Sequence, residues 1–177
     1  MLKIPKIKIR IQPKKKTINF VDLGCGQGDL IRRLGKDGKR VIGIDNWHST
    51  KPSKKIKKSD MFKFLKKQKN NSIKVINSDM SLAFGTDIYT YGKKREVYRE
   101  IKRVLVKNGR LILTCRKWHT EKEIQLLKEC GFEVYFRPLK ERETEKTLWI
   151  KYESGLAKDI NIPQFGVPHI IFAVKRR

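Results

Sequence analysis

The stretch Thr17-Ile18-Asn19-Phe20-Val21-Asp22-Leu23-Gly24-Cys25-Gly26-Gln27-Gly28-Asp29-Leu30 leaves a folding chain few options. It opens with a short apolar run bounded by polar residues, the pattern of a buried parallel strand. The run passes through Asp22 into Gly24, Gly26 and Gly28, spaced Gly-x-Gly-x-Gly, and a helical segment from Asp29 to Leu34 follows. Strand, glycine turn and helix form the front half of a nucleotide-binding βαβ unit. The glycines permit a tight turn and let a ligand reach the backbone, while the helix start turns free N–H groups toward it. The next strand, Arg40 to Asp45, ends in an acid 21 residues after Gly24. A carboxylate roughly 20 residues on is where ribose hydroxyls are gripped in such units. The competing readings are a glycine-rich turn without a ligand and a site of the NAD type.

Beyond Asp45 the residues Asn46 to Ser53 have loop chemistry. Two registers then compete. In one, residues 51–69 are the helix after strand two and Ser72–Asp79 is strand three, which leaves strand four to Asp87–Tyr91. In the other, Lys54–Lys58 is a short strand three that runs on to Asp60, Met61–Lys69 is a helix, and Ile73–Asn77 is strand four, ending at Ser78-Asp79-Met80. The second register yields seven strands without forcing any, and it is preferred. Lys93–Val106 has helical apolar spacing at Val97, Ile101, Val104 and Leu105, with Asn108-Gly109 as its stop. Arg110–Cys115 is strand five. Thr120 and Glu123 form a capping box for a helix to Cys130, which Gly131 ends. Phe132–Phe136 and His169–Val174 are strands six and seven. Residues 138–168 form a polar insertion between them, with Trp149 and Ile150 in a possible hairpin.

At 177 residues the chain is long enough for one well-packed domain. We divide it into a basic arm, residues 1–16, and one domain, residues 17–177. No apolar run approaches a membrane span, and the N-terminus lacks the apolar region of a signal peptide. Three cysteines, Cys25, Cys115 and Cys130, show no metal-ligand spacing, so no metal is expected and a reduced, cytoplasmic setting fits. The net charge of +25 is clustered: residues 1–16 carry seven basic residues and no acid, and residues 51–69 carry nine lysines and one acid, Asp60. Blocks of this kind contact phosphates without reading sequence, which makes RNA the expected partner of both segments; a generally solvated surface is the blander reading.

Asp22-x-Gly24-x-Gly26-x-Gly28 resembles motif I of the class I S-adenosylmethionine-dependent methyltransferases. The alternation of strands and helices resembles that fold across nearly the whole chain. The resemblance implies a Rossmann-like, seven-stranded, mostly parallel sheet with helices on both faces, and S-adenosylmethionine as cofactor. The second register is similar to something narrower. Asp45, then Asp60 opening a helix, then Val75-Ile76-Asn77-Ser78-Asp79-Met80, looks like the FtsJ-like RNA ribose 2′-O-methyltransferases.

That resemblance implies roles residue by residue. Gly24, Gly26 and Gly28, with Asp22, Cys25 and Gln27 among them, match the turn around the methionine part of the cofactor. Asp45, with Asn46 beside it, matches the ribose acid. Asp60 with Met61 matches the adenine contact, and Asp79 matches the catalytic aspartate beside the methyl group. The family's Lys-Asp-Lys-Glu tetrad is otherwise broken: Thr114 stands at the second lysine and His169 at the glutamate, and only Lys14–Lys16 offer a first lysine. Asp79 as a plain strand-end acid is an equal reading. Thr114-Cys115 also matches a dipeptide of some pyrimidine C5 methyltransferases, in which Cys115 is a nucleophile; a buried strand cysteine is the stronger reading. Trp47, Trp118, Tyr89 and Tyr91 are candidates to stack on a base, and His48 and His119 lie on the same side. The expected activity is therefore methyl transfer to RNA, first to a ribose 2′-hydroxyl of a structured RNA such as ribosomal or transfer RNA. The alternatives are an RNA base, a protein or small-molecule substrate, or a nucleic-acid-binding protein that has lost catalysis.

Overall fold

Strand β1 (Ile18–Leu23) sits mid-sheet, with Val21 and Leu23 fully buried. The computed structural model describes residues 17–35, 40–46, 51–79, 82, 91–139 and 169–176, the side chains of 91, 92 and 118 excepted. In chain order the remaining elements are α1 (Asp29–Leu34), β2 (Val41–Asp45), β3 (Ile56–Lys58), α2 (Met61–Lys66), β4 (Ile73–Asp79), α3 (Tyr91–Val104), β5 (Leu105–Cys115), a 3₁₀ turn (Lys117–His119), α4 (Thr120–Glu129), β6 (Glu133–Pro138) and β7 (His169–Val174). The strands form one sheet in the order β3-β2-β1-β4-β5-β7-β6. β1 to β5 run parallel, and β7 runs antiparallel between β5 and β6. This is the Rossmann-like methyltransferase fold the sequence implies. The basic arm 1–16, Trp47, His48, Met80, Tyr89, the side chains of Tyr91 and Trp118, and nearly all of the 138–168 insertion with its hairpin lie outside the described residues. Among the described residues no helix is long and apolar enough to cross a membrane.

The second register is the one adopted. β3 pairs with β2 through Gly43↔Ile56, and Ile56 fills a small apolar cluster with Cys25, Ile31 and Val41 beneath the glycine turn. Asp60 caps α2 by accepting the Lys63 N–H at 2.8 Å. The main core lies on the other face, where Phe64, Leu65, Val97, Tyr98, Ile101 and Leu127 pack against the inner strands. Each such side chain taken fully from water contributes about 1.5–3 kcal/mol.

Two local expectations are corrected. Asn108-Gly109 does not end α3, which stops at Val104; it forms an irregularity inside β5. Pairing with β4 skips from Ile73↔Leu105 to Val75↔Arg110, and Asn108 takes a left-handed φ of 59°. Lys175 closes the gap, with Asn108 N–H donating to its carbonyl at 2.7 Å. The capping box does not form either. His119 is the N-cap of α4, and Thr120 lies within the helix. Glu123 is drawn inward, pairing with Lys94 and accepting the Tyr98 hydroxyl at 2.5 Å. All three are buried, with Lys94 9% and Glu123 4% exposed. Satisfying a buried ammonium outweighs an N-terminal backbone bond.

Removing Glu123 leaves Lys94 as an uncompensated buried charge. Glu123→Ala is expected to lower the unfolding free energy by about 3–5 kcal/mol, and Tyr98→Phe by about 1–2 kcal/mol, as measured by urea unfolding.

Candidate functional site

The carboxyl ends of β1, β2 and β4 bring three acids to one edge of the sheet. Parallel pairing sets them there: Asp22 lies opposite Asn77 on β4, and Asp45 ends β2. Asp79 lies opposite Thr114 on β5. Loops at this edge of an open α/β sheet are where ligands bind.

Asp22 is 3% exposed and accepts a hydrogen bond from Asn77 Nδ2 at 2.8 Å. Burial raises its carboxyl from 3.8 to about 6; the Asn77 bond opposes this, and Asp79 and Asp45 add to it by like-charge repulsion. Asp45 reaches across to the glycine turn, where its Oδ2 accepts the Gly26 N–H at 2.7 Å. Burial also raises Asp79, against a hydrogen bond from Thr114 that lowers it. Its Oδ1 is buried with no hydrogen-bond partner among the described residues. The cleft is thus acidic in a chain of net charge +25. It suits a ligand that brings positive charge and hydrogen-bond donors.

The glycine turn is shaped by backbone that other residues resist. Gly24, Gly26 and Gly28 have φ of 78°, 54° and 79°. At Gly26 an added Cβ would enter open space, with nothing within 4 Å. At Gly28 it would meet Ile56 Cδ1 at 2.1 Å, so Gly28 keeps the turn seated on β3 while Gly26 leaves room above it. α1 follows for only six residues, and Arg32 folds back onto the Gln27 carbonyl and Asp29.

The other candidates divide. Gln27 and Asn46 are exposed beside the turn and after β2. The Cys25 side chain points into the small core, where burial pushes its thiol up to about 12; only its backbone faces the turn. Asp60 serves as the α2 cap, and Met61 packs against the main core. Cys115 is fully buried, 3.4 Å from Thr120 Oγ1, and burial raises its thiol; this is a core cysteine and not a thiolate. His169 stands opposite Cys115 and pairs with Thr120 Oγ1 at 3.0 Å, and burial lowers its imidazole, as it does that of His119. Asn77 was not singled out by the sequence. Its signal was a polar residue straight after the apolar pair Val75-Ile76 and two places before Asp79.

A family profile described as "Methyltransferase domain" matches residues 14–149. By sequence, no curated protein matches the chain. Among solved structures, it is similar to a SAM-dependent methyltransferase from Archaeoglobus fulgidus, with TM-score 0.65, 15% identity, and 91% of this chain and 87% of that one covered. It is also similar to a SAM-dependent methyltransferase from Methanosarcina mazei, with TM-score 0.62, 17% identity, and 90% and 93% covered. A third is Haemonchus contortus phosphoethanolamine N-methyltransferase 2 in complex with S-adenosyl-L-methionine, with TM-score 0.61, 16% identity, and 94% of this chain but 50% of that one covered.

The Asp22 carboxyl gives a pH signature. Folded, it holds its proton up to about pH 6, whereas its ordinary value is 3.8. Between those values the unfolded chain binds fewer protons, so this group's contribution to stability falls as pH rises. Asp22→Asn removes that loss. From about pH 4 to about pH 7 the variant is expected to gain roughly 2 kcal/mol relative to the parent, read by urea unfolding across pH. A constant difference would contradict the assignment.

Proposed function

The chain belongs to the methyltransferase domain family, and within it we propose an RNA methyltransferase that acts on a ribose 2′-hydroxyl of a structured RNA. It is an S-adenosylmethionine-dependent enzyme. The site fits that cofactor, which brings a cationic sulfur and an ammonium to an edge held by Asp22, Asp45 and Asp79. Gly24, Gly26 and Gly28 let it lie against the backbone, and Asp45 is placed for ribose hydroxyls. When bound, the cofactor supplies an activated methyl group and leaves as a neutral thioether.

The observation that carries the ribose reading is Asp79. A ribose hydroxyl is a poor nucleophile and needs a group to take its proton. Asp79 ends β4 at the acidic edge, one oxygen is buried without a partner, and burial raises its carboxyl toward the range of an effective base. The hydroxyl hydrogen passes to Asp79 as its oxygen takes the methyl group. Thr114 stands at the position of the second tetrad lysine and steadies Asp79 by a hydrogen bond. This is the point of similarity to the FtsJ-like enzymes, and the broken tetrad is the point of difference.

Charge supports RNA as the substrate. Lys57 and Lys58 are exposed on edge strand β3, and Lys63, Lys66, Lys67 and Lys69 are exposed on and after α2. Charged residues on an edge strand also block edge-to-edge pairing, but the α2 lysines have no edge to guard. A polyanion is the partner such a surface attracts.

Labelled S-adenosylmethionine with unmodified total RNA, followed by digestion to nucleosides and mass spectrometry, tests the reading. We expect a 2′-O-methylated nucleoside whose formation falls at least about 100-fold in Asp79→Asn at saturating cofactor. A methylated base would overturn the ribose assignment. No label in RNA, with the cofactor bound, would overturn RNA itself.

A further inference from the structure

A second basic surface lies at the opposite edge of the sheet from the three acids. The last turn of α3, the turn before β4, the irregularity in β5 and the end of β7 surround an open groove of about 760 Å³. Asn71, Arg99, Lys102, Arg103, Lys107 and Lys175 line it. Two left-handed asparagines shape it: Asn71, φ 53°, turns the chain into β4, and Asn108, φ 59°, bends β5. Backbone bonds fix the walls, with Asn71 N–H donating to the Arg103 carbonyl at 3.1 Å and Ser72 N–H to that of Val104 at 2.8 Å.

Cations near a helix C-terminus are favoured by its dipole, which is the plain reading of such a cluster. Arg103 meets that description. It donates to the Leu65 and Gln68 carbonyls at 3.0 and 2.9 Å and pairs with Glu100 at 2.7 Å. Lys175 also has a structural task, donating to Asn71 Oδ1 at 2.8 Å and the Leu105 carbonyl at 2.7 Å. Lys102 also stands in the last turn of α3, with its ammonium beside Gly131, but neither it nor Arg99 nor Lys107 is held by a carbonyl or a carboxylate among the described residues. Their charges converge on one groove, and Lys175 registers the strain: burial, then Lys102, lower its ammonium. The surface is continuous in sequence with the α2 lysines, because Lys69 lies two residues before Asn71.

We propose that this groove binds the phosphate backbone of the RNA substrate, holding a part of the RNA distant from the nucleotide that is methylated. The inference rests on RNA being the substrate and deepens it. β4 separates the groove from Asp79, and the eight steps from Asn71 to Asp79 at about 3.3 Å each span roughly 25 Å. A single nucleotide does not bridge that distance. A folded RNA does, so the enzyme selects substrates large enough to touch both edges. Phosphate contacts position without reading sequence, which suits Arg99, Lys102 and Lys107, long exposed or half-exposed cations with no base-reading geometry.

The test compares the parent, the triple variant Arg99→Gln/Lys102→Gln/Lys107→Gln, and a control, Arg33→Gln/Lys122→Gln/Lys128→Gln, that removes the same charge from exposed positions on α1 and α4. Unmodified transfer RNA transcripts are the probe, and affinity is followed from about 50 to 200 mM salt. In the groove variant we expect affinity to fall at least 10-fold. The slope of log affinity against log salt should weaken by about 2, since each phosphate contact accounts for about 0.7–0.9 of slope. S-adenosylmethionine binding should be unchanged, and the control should stay close to the parent. In methyl transfer the loss should appear in KM and not in kcat. A groove variant that binds the RNA with the parent's affinity and slope would overturn the groove while leaving RNA as substrate. Equal losses in variant and control would overturn it as well, by showing a general charge effect. A parent that does not bind the RNA at all would overturn both readings.

Discussion

Three carboxylates held against one another at a single edge of a parallel sheet are the constraint on which the site depends. Asp22 cannot leave, because β1 is a buried inner strand between β2 and β4 and Asn77 fixes its carboxylate from the paired strand. Asp45 ties the end of β2 to the glycine turn through Gly26. Asp79 meets only Thr114 on one side and leaves a buried oxygen free of partners among the described residues. Burying Asp22 and Asp79 is unfavourable without a counter-charge, which is what raises their carboxyls, and perturbed carboxyls of this kind are candidates for a functional site. A cationic cofactor supplies what the protein withholds.

The contrast with the rest of the surface follows from this. The chain carries +25, and two clusters of its basic residues lie on edge strand β3 with α2 and around the groove at the far edge. On the reading proposed above, a polyanion is drawn to those surfaces and repelled by the acids. On the proposed reading only a neutral group of the substrate, a hydroxyl, can come up to Asp79. The cofactor and substrate are then sorted by charge before any shape is read.

Much of the fold was legible because it rests on local patterns that tertiary packing reinforces. The apolar runs of β1, β4 and β7 and the glycine spacing each name one element, and Ile56 beneath Gly28 shows why the register with a short third strand wins. What failed were signals that tertiary contacts overrule. Thr120 and Glu123 spell a capping box, but Lys94 on α3, distant in sequence, needs Glu123 more. Asn108-Gly109 spells a helix stop, but the chain had already left the helix, and the pair serves a bend between β4 and β7. In the site, Asp45 and the glycines could be named from spacing, and Asp22 and Asp79 from the family resemblance. Asn77 and the partnering of Thr114 with Asp79 could not, since they depend on which strands become neighbours. Cys25 shows the limit of a motif: it stands inside the turn, yet its side chain belongs to the core.

The measurement closest to the central claim is the affinity for S-adenosylmethionine as a function of pH, by calorimetry in buffers of different ionisation enthalpy. If the acidic edge exists to hold a cation, binding pulls the Asp22 carboxyl down from about 6. Affinity then strengthens from about pH 5 to about pH 7, with release of part of a proton on binding near the middle of that range, and Asp22→Asn abolishes both effects. An affinity that does not change over this range, with no proton released, would contradict the account.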